Sequence, residues 1–271
     1  MMSSLPTLVC VHAHPDDEAF FGAGAAAHYA ALGHRVVLVT CTNGQLGLDQ
    51  NGRAGDDSLH DAATTLSVRA GELQRAASLL GYSRVVTLGY DDSGMKGWPQ
   101  NENQSAFMNV EVDAAARTLA AVFDEESAVV VVTYDENGFY GHPDHVMANV
   151  VTRRALDFSS SVARLYYSVV PRGVITTFVE GAKGLGLSLP EWVLDAATNV
   201  PDDLVASTLD VRKYARLKQE AMAAHASQVD NGDVVRMQEN LFTLLFGTEY
   251  YQRAWSRRET NGDLVDLFGG L

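Results

Sequence analysis

Short apolar runs rich in β-branched residues alternate along this chain with longer segments of mixed polarity. Residues 8–12 (Leu-Val-Cys-Val-His) form the first run, and residues 35–42, centred on Val-Val-Leu-Val, the second. Residues 84–88, residues 128–133 with four consecutive valines, and residues 164–170 form the third, fourth and fifth. All five predict strands, and the first, second and fourth, without polar alternation, predict strands buried on both faces. Between them, residues 18–32 are Ala-rich and stop at Gly33, and residues 61–80 carry apolar positions at helical spacing and stop at Gly81. Residues 107–125 show the same spacing, and Pro143 opens a segment to about residue 157. These predict helices, with Pro at a first helical position and Gly beyond the last. Residues 91–105 hold Gly, Pro and Asn and predict a long loop. Loops of that length in compact domains often carry function. Residues 135–141 predict a turn-rich loop.

Strands alternating with helices predict an α/β fold: a Rossmann-like parallel sheet of about five strands with helices on both faces. The expected strand order is 3-2-1-4-5, and ligands in such sheets bind beyond the carboxyl ends of the strands where the order reverses. That point falls between strands 1 and 4. After Pro171 the alternation breaks. Residues 172–190 are Gly-rich and ambiguous, residues 211–228 and 234–246 predict helices, and Tyr250-Tyr251 reads as a packed strand. The expected division is a catalytic core over 1–171 and a C-terminal α+β extension over 172–271 that contributes to the substrate cleft.

Composition narrows the possibilities. The chain has 271 residues, 46% hydrophobic and 20% charged, enough to bury a sizeable core. Lys and Arg number 20 against 34 Asp and Glu, a net charge of −14, which argues against nucleic-acid and anionic-lipid partners. Cys10 and Cys41 both lie in apolar runs and offer no disulfide framework or Cys-based metal site. No signal-peptide pattern opens the chain, and no apolar run reaches the ~20 residues that span a bilayer. The expected location is the cytoplasm. The sequence leaves the oligomeric state open.

Two polar clusters stand out. Ala13-His14-Pro15-Asp16-Asp17-Glu18 follows strand 1, and Tyr140-Gly141-His142-Pro143-Asp144-His145 follows strand 4. The topology brings both to the switch point, and their convergence says more than either alone. Catalytic zinc takes three His or carboxylate ligands and leaves a fourth position to water. His14 and Asp17, three apart, can aim the same way across a tight turn, and His145 can supply a third ligand. Asp16 then points elsewhere and can act as a base. His142 would stand close by. Each cluster has a plainer explanation: Asp16 or Asp17 as a helix N-cap, and the two histidines on a solvated helix face. No Walker A string or Gly-x-Ser-x-Gly elbow competes, and Gly22-Ala-Gly24 is too sparse for a dinucleotide fingerprint. His28, His34 and His60 lack partners at ligand spacing.

On these residues the chain resembles the zinc-dependent N-acetylglucosaminyl deacetylases of the PIG-L/LmbE family. The family's Ala-His-Pro-Asp-Asp-Glu motif stands at 13–18 and its His-Pro-Asp-His motif at 142–145. The resemblance continues through Val39-Thr-Cys-Thr42, Arg69-Ala-Gly-Glu-Leu73, Asp92-Ser-Gly-Met95 and Thr133-Tyr-Asp-Glu-Asn-Gly138. A weaker echo runs through Lys218, Ala221 and His225-Ala-Ser-Gln228. It spans residues 7–155 well and the remainder loosely. Within the family the chain is similar to actinobacterial enzymes of mycothiol metabolism, a GlcNAc-inositol deacetylase and a mycothiol S-conjugate amidase.

The resemblance implies one zinc ion, or another divalent transition metal, on His14, Asp17 and His145, with Asp16 as general base. It implies His142 as a donor to the oxyanion with Asp144 beside it, and Tyr140 as a residue polarising the carbonyl. Arg69 would bind the distal part of the substrate, and Asp92 would lie near the sugar hydroxyls. Two positions depart from the family. Asn43-Gly44-Gln45 follows Thr42 where relatives read Gly-Glu, and Phe21 stands where they carry Ser or Lys. Phe21 suggests a more apolar or differently shaped acceptor. The implied activity is zinc-dependent amide hydrolysis, foremost N-deacetylation of an N-acetylglucosamine-type sugar or conjugate. Cleavage of a larger thiol or sugar conjugate, or a non-catalytic metal- or sugar-binding role, stand as alternatives. Either Asp16 or a protonated His142 would deliver the proton to the leaving amine.

Overall fold

The computed structural model describes residues 5–184, 199–228, 232–257 and 266–271. Strands β1 (Thr7–His12), β2 (Val36–Thr42), β3 (Arg84–Tyr90), β4 (Ala128–Thr133) and β5 (Arg164–Val169) lie parallel in the order 3-2-1-4-5. Every residue of β1 and β2 is buried, as their unbroken apolar runs require. The sheet has seven strands rather than five. β6 (Ser207–Asp210) and β7 (Thr248–Ser256) extend it beyond β5, with β7 antiparallel to both neighbours. Tyr250 and Tyr251 fall in β7, as expected, but β6 is four residues with an alternating buried and exposed pattern. So short a half-buried edge strand carries little periodic signal.

Helices differ from the sequence expectation at their ends, and a polar or glycine residue accounts for most of these differences. The segment 18–32 is two helices, α1 (Asp17–Phe20) and α2 (Ala23–Ala31). Gly22 between them has φ 82°, a left-handed conformation that ends one helix and starts the next. α3 (Ala62–Leu80) runs as expected between its Asp61 N-cap and left-handed Gly81. α4 (Val112–Glu125) begins five residues later than expected, because Val110 is extended and the Glu111 carboxylate caps Asp113 N and Ala114 N. A four-residue helix, α5 (Gly138–Gly141), occupies the expected turn-rich loop, and α6 (Pro143–Ala155) opens on Pro143.

In the extension, α7 (Arg172–Gly184) covers much of the ambiguous stretch; its residues 185–190 lie outside the described residues. α8 (Ala215–Ala224) is shorter than the expected 211–228, because a 3₁₀ turn precedes it and His225 leaves the helix at φ −86°, ψ 56°. The expected helix 234–246 is split into α9 (Gly232–Val235) and α10 (Glu239–Phe246) by an extended Gln238.

Packed layers cover both faces of the sheet. One core cluster joins β1, β2 and β4 to α4 and α6 through Val9, Val37, Leu119 and Val151. A second joins them to α2 and α3 through Leu8, Leu38, Tyr29 and Leu73. Phe107 is fully buried and stacks on Tyr90. No helix among the described residues is long and apolar enough to cross a membrane.

Candidate metal and catalytic centre

The chain leaving β1 and the chain leaving β4 meet at the switch point. They are tied by Thr133 Oγ1 donating to Val11 O (3.0 Å) and Tyr134 Oη accepting from Ala13 N (2.8 Å). Thr42, at the end of β2, donates through N and Oγ1 to Ala13 O. This lattice fixes the backbone under His14 before any side chain is considered.

Asp17 lies between two histidines. Its Oδ2 is 3.3 Å from His14 Nδ1 and its Oδ1 3.3 Å from His145 Nε2. Each histidine is oriented from its other side. His14 Nε2 is 3.2 Å from Asp144 Oδ2, and His145 Nδ1 is 3.2 Å from Gly138 O. Such outer partners fix a metal-binding ring's tautomer and direction. His145 Nε2 is buried, with no hydrogen-bond partner among the described residues. A buried ring nitrogen that meets a carboxylate at 3.3 Å without forming a hydrogen bond to it, beside a second histidine, is what a divalent cation satisfies, so the residues present fit zinc. Ligand atoms of His14, His142 and His145 all lie within 4.8 Å of one another, and those of His14, Asp92, His142 and Asp144 form a second such group.

The electrostatics agree. Burial disfavours charge on His14, yet Asp92, Asp144 and Asp17 hold it well above the ordinary histidine range in the metal-free protein. Against burial, His145 and His14 hold Asp17 well below the usual carboxylate range. A centre with this many carboxylates favours a cation, and a metal held by His14 would displace that proton.

Asp16 has a different partner. Burial pushes its carboxyl up to about 6 while the Arg69 guanidinium, 3.2 Å from Oδ2, pulls it down. Arg69 is buried on α3, donating to Pro15 O and to Gly44 O. Glu72 takes no part in that ion pairing; its carboxylate accepts from Ser227 N and Oγ. The expected tail-binding guanidinium is therefore committed to the backbone around Asp16.

His142 N-caps α6: its Nδ1 accepts from Asp144 N (3.1 Å). Burial, with His14 and His145 nearby, holds it well below the ordinary histidine range. With Nδ1 accepting, the ring's proton falls to Nε2. Asp144 is fully buried and also accepts from Ser93 N and Ser93 Oγ. Asp92 lies 3.6 Å from His14 Nε2 and accepts from Gly94 N. Tyr140 sits at the mouth, 41% exposed, its ring 5.0 Å from that of His145 and 6.1 Å from that of His142. Phe21 turns inward, against Tyr134, Phe139 and His145. The structure thus gathers His14, Asp16, Asp17, Asp92, His142, Asp144 and His145, with Tyr140 above, Arg69 below and Phe21 behind.

Three contributors escaped the sequence reading as site residues. Tyr134 donates to Asp17 Oδ2 (2.7 Å) and stacks on His145 with ring centres 4.1 Å apart. Ser93 holds Asp144, and Glu18 accepts from Asp16 N. Tyr134 could have been found as the first residue past a buried strand at the switch point.

The fold and the cluster define the class: an α/β protein with a buried His-Asp-His cluster suited to a divalent cation at the switch point of a parallel sheet. Comparison with known proteins supplies the family. The family model described as PIG-L, GlcNAc-PI de-N-acetylase, matches residues 9–156, and the chain belongs to that family. Among its relatives, the 1D-myo-inositol 2-acetamido-2-deoxy-alpha-D-glucopyranoside deacetylase of Geodermatophilus obscurus is 39% identical, over 97% of this chain and 97% of that protein. The protein of the same name from Acidothermus cellulolyticus is 36% identical, over 98% and 95%. The fold is shared with N,N'-diacetylchitobiose deacetylase from Pyrococcus horikoshii (TM-score 0.59, 17% identity, 91% of this chain and 83% of that one). It is shared equally with GalB, the 4-carboxy-2-hydroxymuconate hydratase of Pseudomonas putida KT2440 (TM-score 0.60, 18% identity, 95% and 99%). The fold alone therefore does not separate deacetylation from hydration.

Proposed function

We propose that the protein is a zinc-dependent deacetylase that removes acetyl from an N-acetylglucosamine-type sugar carried on an inositol-like aglycone. The carrying observation is Asp17 held between His14 and His145 while the neighbouring Asp16 is left off those rings and held by Arg69. One aspartate is placed to bind a metal and the other to move a proton. The near full-length relatives bearing a deacetylase name support the substrate class.

His14, Asp17 and His145 would hold the zinc. Bound there, it supplies Lewis-acid chemistry, acidifying water and polarising a carbonyl. Asp16 takes the proton from the attacking water, within the range that suits a base working near neutral pH. The neutral His142 donates its Nε2–H to the oxyanion that develops from the amide oxygen, and Tyr140 donates from the mouth. One such donor is typically worth about 3 kcal/mol. As the C–N bond breaks, Asp16 returns its proton to the leaving amine. His142, whose Nδ1 accepts from Asp144 N, is left in this reading to serve the oxyanion. Asp144 and Asp92 face His14 Nε2 and orient its ring.

The test is a panel of metal-loaded assays with mass-spectrometric detection. N-acetylglucosaminyl-inositol should release acetate and free amine in equal amounts. Amine without acetate, from a larger conjugate only, would replace this reading with an amidase. Neither product from any GlcNAc derivative would leave a binding module.

A further inference from the structure

Asp16 is one of three non-glycine residues among those described with positive φ, at φ 107°, ψ −30°. L-residues avoid this region, and it persists only where the surroundings over-determine it. Two handles hold it. Arg69 grips Pro15 O and the Asp16 carboxylate. Glu18 accepts from Asp16 N at 2.9 Å through Oε2.

The chemistry proposed for the centre makes no use of Glu18, yet Glu18 is fully buried in the motif. Its other oxygen, Oε1, is 2.6 Å from Nε2 of His225, itself buried. His225 Nδ1 has no partner among the described residues, so the ring's polar contact is Glu18. A buried carboxylate needs a partner, and this one comes from the far end of the chain.

The residues after His225 brace the other handle. Ser227 N and Oγ donate to Glu72 on α3, three residues from Arg69. Gln228 Oε1 accepts from Leu48 N (3.1 Å), steadying the loop whose Gly44 O receives Arg69 Nη1. Four residues at the end of α8 thus close on both grips at once.

We propose that Glu18, braced by His225, is a positioning residue that holds the Asp16 backbone in the strained conformation aiming its carboxylate. The proposal rests on the reading of Asp16 as the base. Glu18 touches no reacting atom; it acts through Asp16.

The test is a double-mutant cycle on the metal-loaded enzyme, with kcat, KM and metal content read for each variant. Glu18→Ala should lower kcat by about 10- to 100-fold, with KM and one metal equivalent kept, since a misaimed group costs rate rather than binding. Glu18→Gln keeps an oxygen for Asp16 N and should stay within about threefold of wild type. In an Asp16→Asn background, Glu18→Ala should add less than about twofold, because no base remains to be aimed. A wild-type kcat for Glu18→Ala, or the full loss repeated in the Asp16→Asn background, would overturn the proposal. Full activity of metal-loaded Asp16→Asn would instead overturn the base reading, and that single variant tells the two failures apart. Should Glu18→Ala not fold by circular dichroism, His225→Ala, which frees Glu18 but keeps it, runs the same cycle with the same outcomes.

Discussion

Asp16 and Asp17 are the same chemical group one residue apart, and position alone divides their work. Asp17 meets two ring nitrogens and the Tyr134 hydroxyl; Asp16 meets a guanidinium. The spacing His14-x-x-Asp17 made the ligand pair legible in the sequence, because three residues across a tight turn return to one side. The partners that orient these groups were not legible. Asp144 was expected beside His142, and it is, but its carboxylate turns to His14. Such side-chain directions depend on contacts between β1, the 91–105 loop and α6, which spacing does not encode. His14→Ala, Asp17→Ala and His145→Ala should each lose most of the bound zinc, since three ligands leave none to spare. Metal analysis of the purified variants checks this. Near one equivalent retained in all three would refute the assignment.

Glycine breaks and caps are local, so the elements of the first 171 residues were mostly readable. α3 between Asp61 and Gly81 and α6 from Pro143 follow directly from their end signals. Where a distant partner decides an end, the sequence misled. α8 stops because His225 turns to Glu18, 207 positions away. Gly47 shows the same dependence. A Cβ there would collide with the Arg69 guanidinium and lie 2.7 Å from Gln228 Oε1. Gly47→Ala should fold and yet lose about tenfold in kcat by displacing Arg69 from Asp16. A wild-type rate in steady-state assays would show that the loop gives way without moving Arg69.

A second element-level prediction concerns Glu249 on β7, which is buried and accepts from Lys218 Nζ, Gly24 N, Ala25 N and Tyr251 Oη. Burial opposes its charge, but Lys218, Tyr251 and Gly24 N hold the carboxyl below its ordinary value. A lowered folded pKa gives stability that is present above the unfolded value, about 4.3, and lost as pH falls through the folded value. Glu249→Gln should cost about 3 kcal/mol at pH 7, and the Tm gap to wild type should narrow below pH 4.5. A gap independent of pH would contradict the role given to the ionised form.

At the scale of the whole molecule, the order 3-2-1-4-5 was readable because alternating buried strands and helices admit few topologies. The continuation through β7 and β6 was not, since β6 is short and half-exposed and Tyr250-Tyr251 marks a strand without fixing what it pairs with. Sheet order is what makes one centre of two motifs more than a hundred residues apart, and His225 and Gln228 brace the residues around it through Glu18 and Leu48. The central claim is that this centre binds zinc through one aspartate and moves a proton through the next. Zinc content and acetate release, measured on the same preparation of Asp16→Asn with N-acetylglucosaminyl-inositol, test it most directly. The account predicts about one zinc per chain and a rate lower by roughly 10²–10⁴-fold. Full activity with zinc bound, or zinc lost from Asp16→Asn while Asp17→Asn retains it, would contradict it.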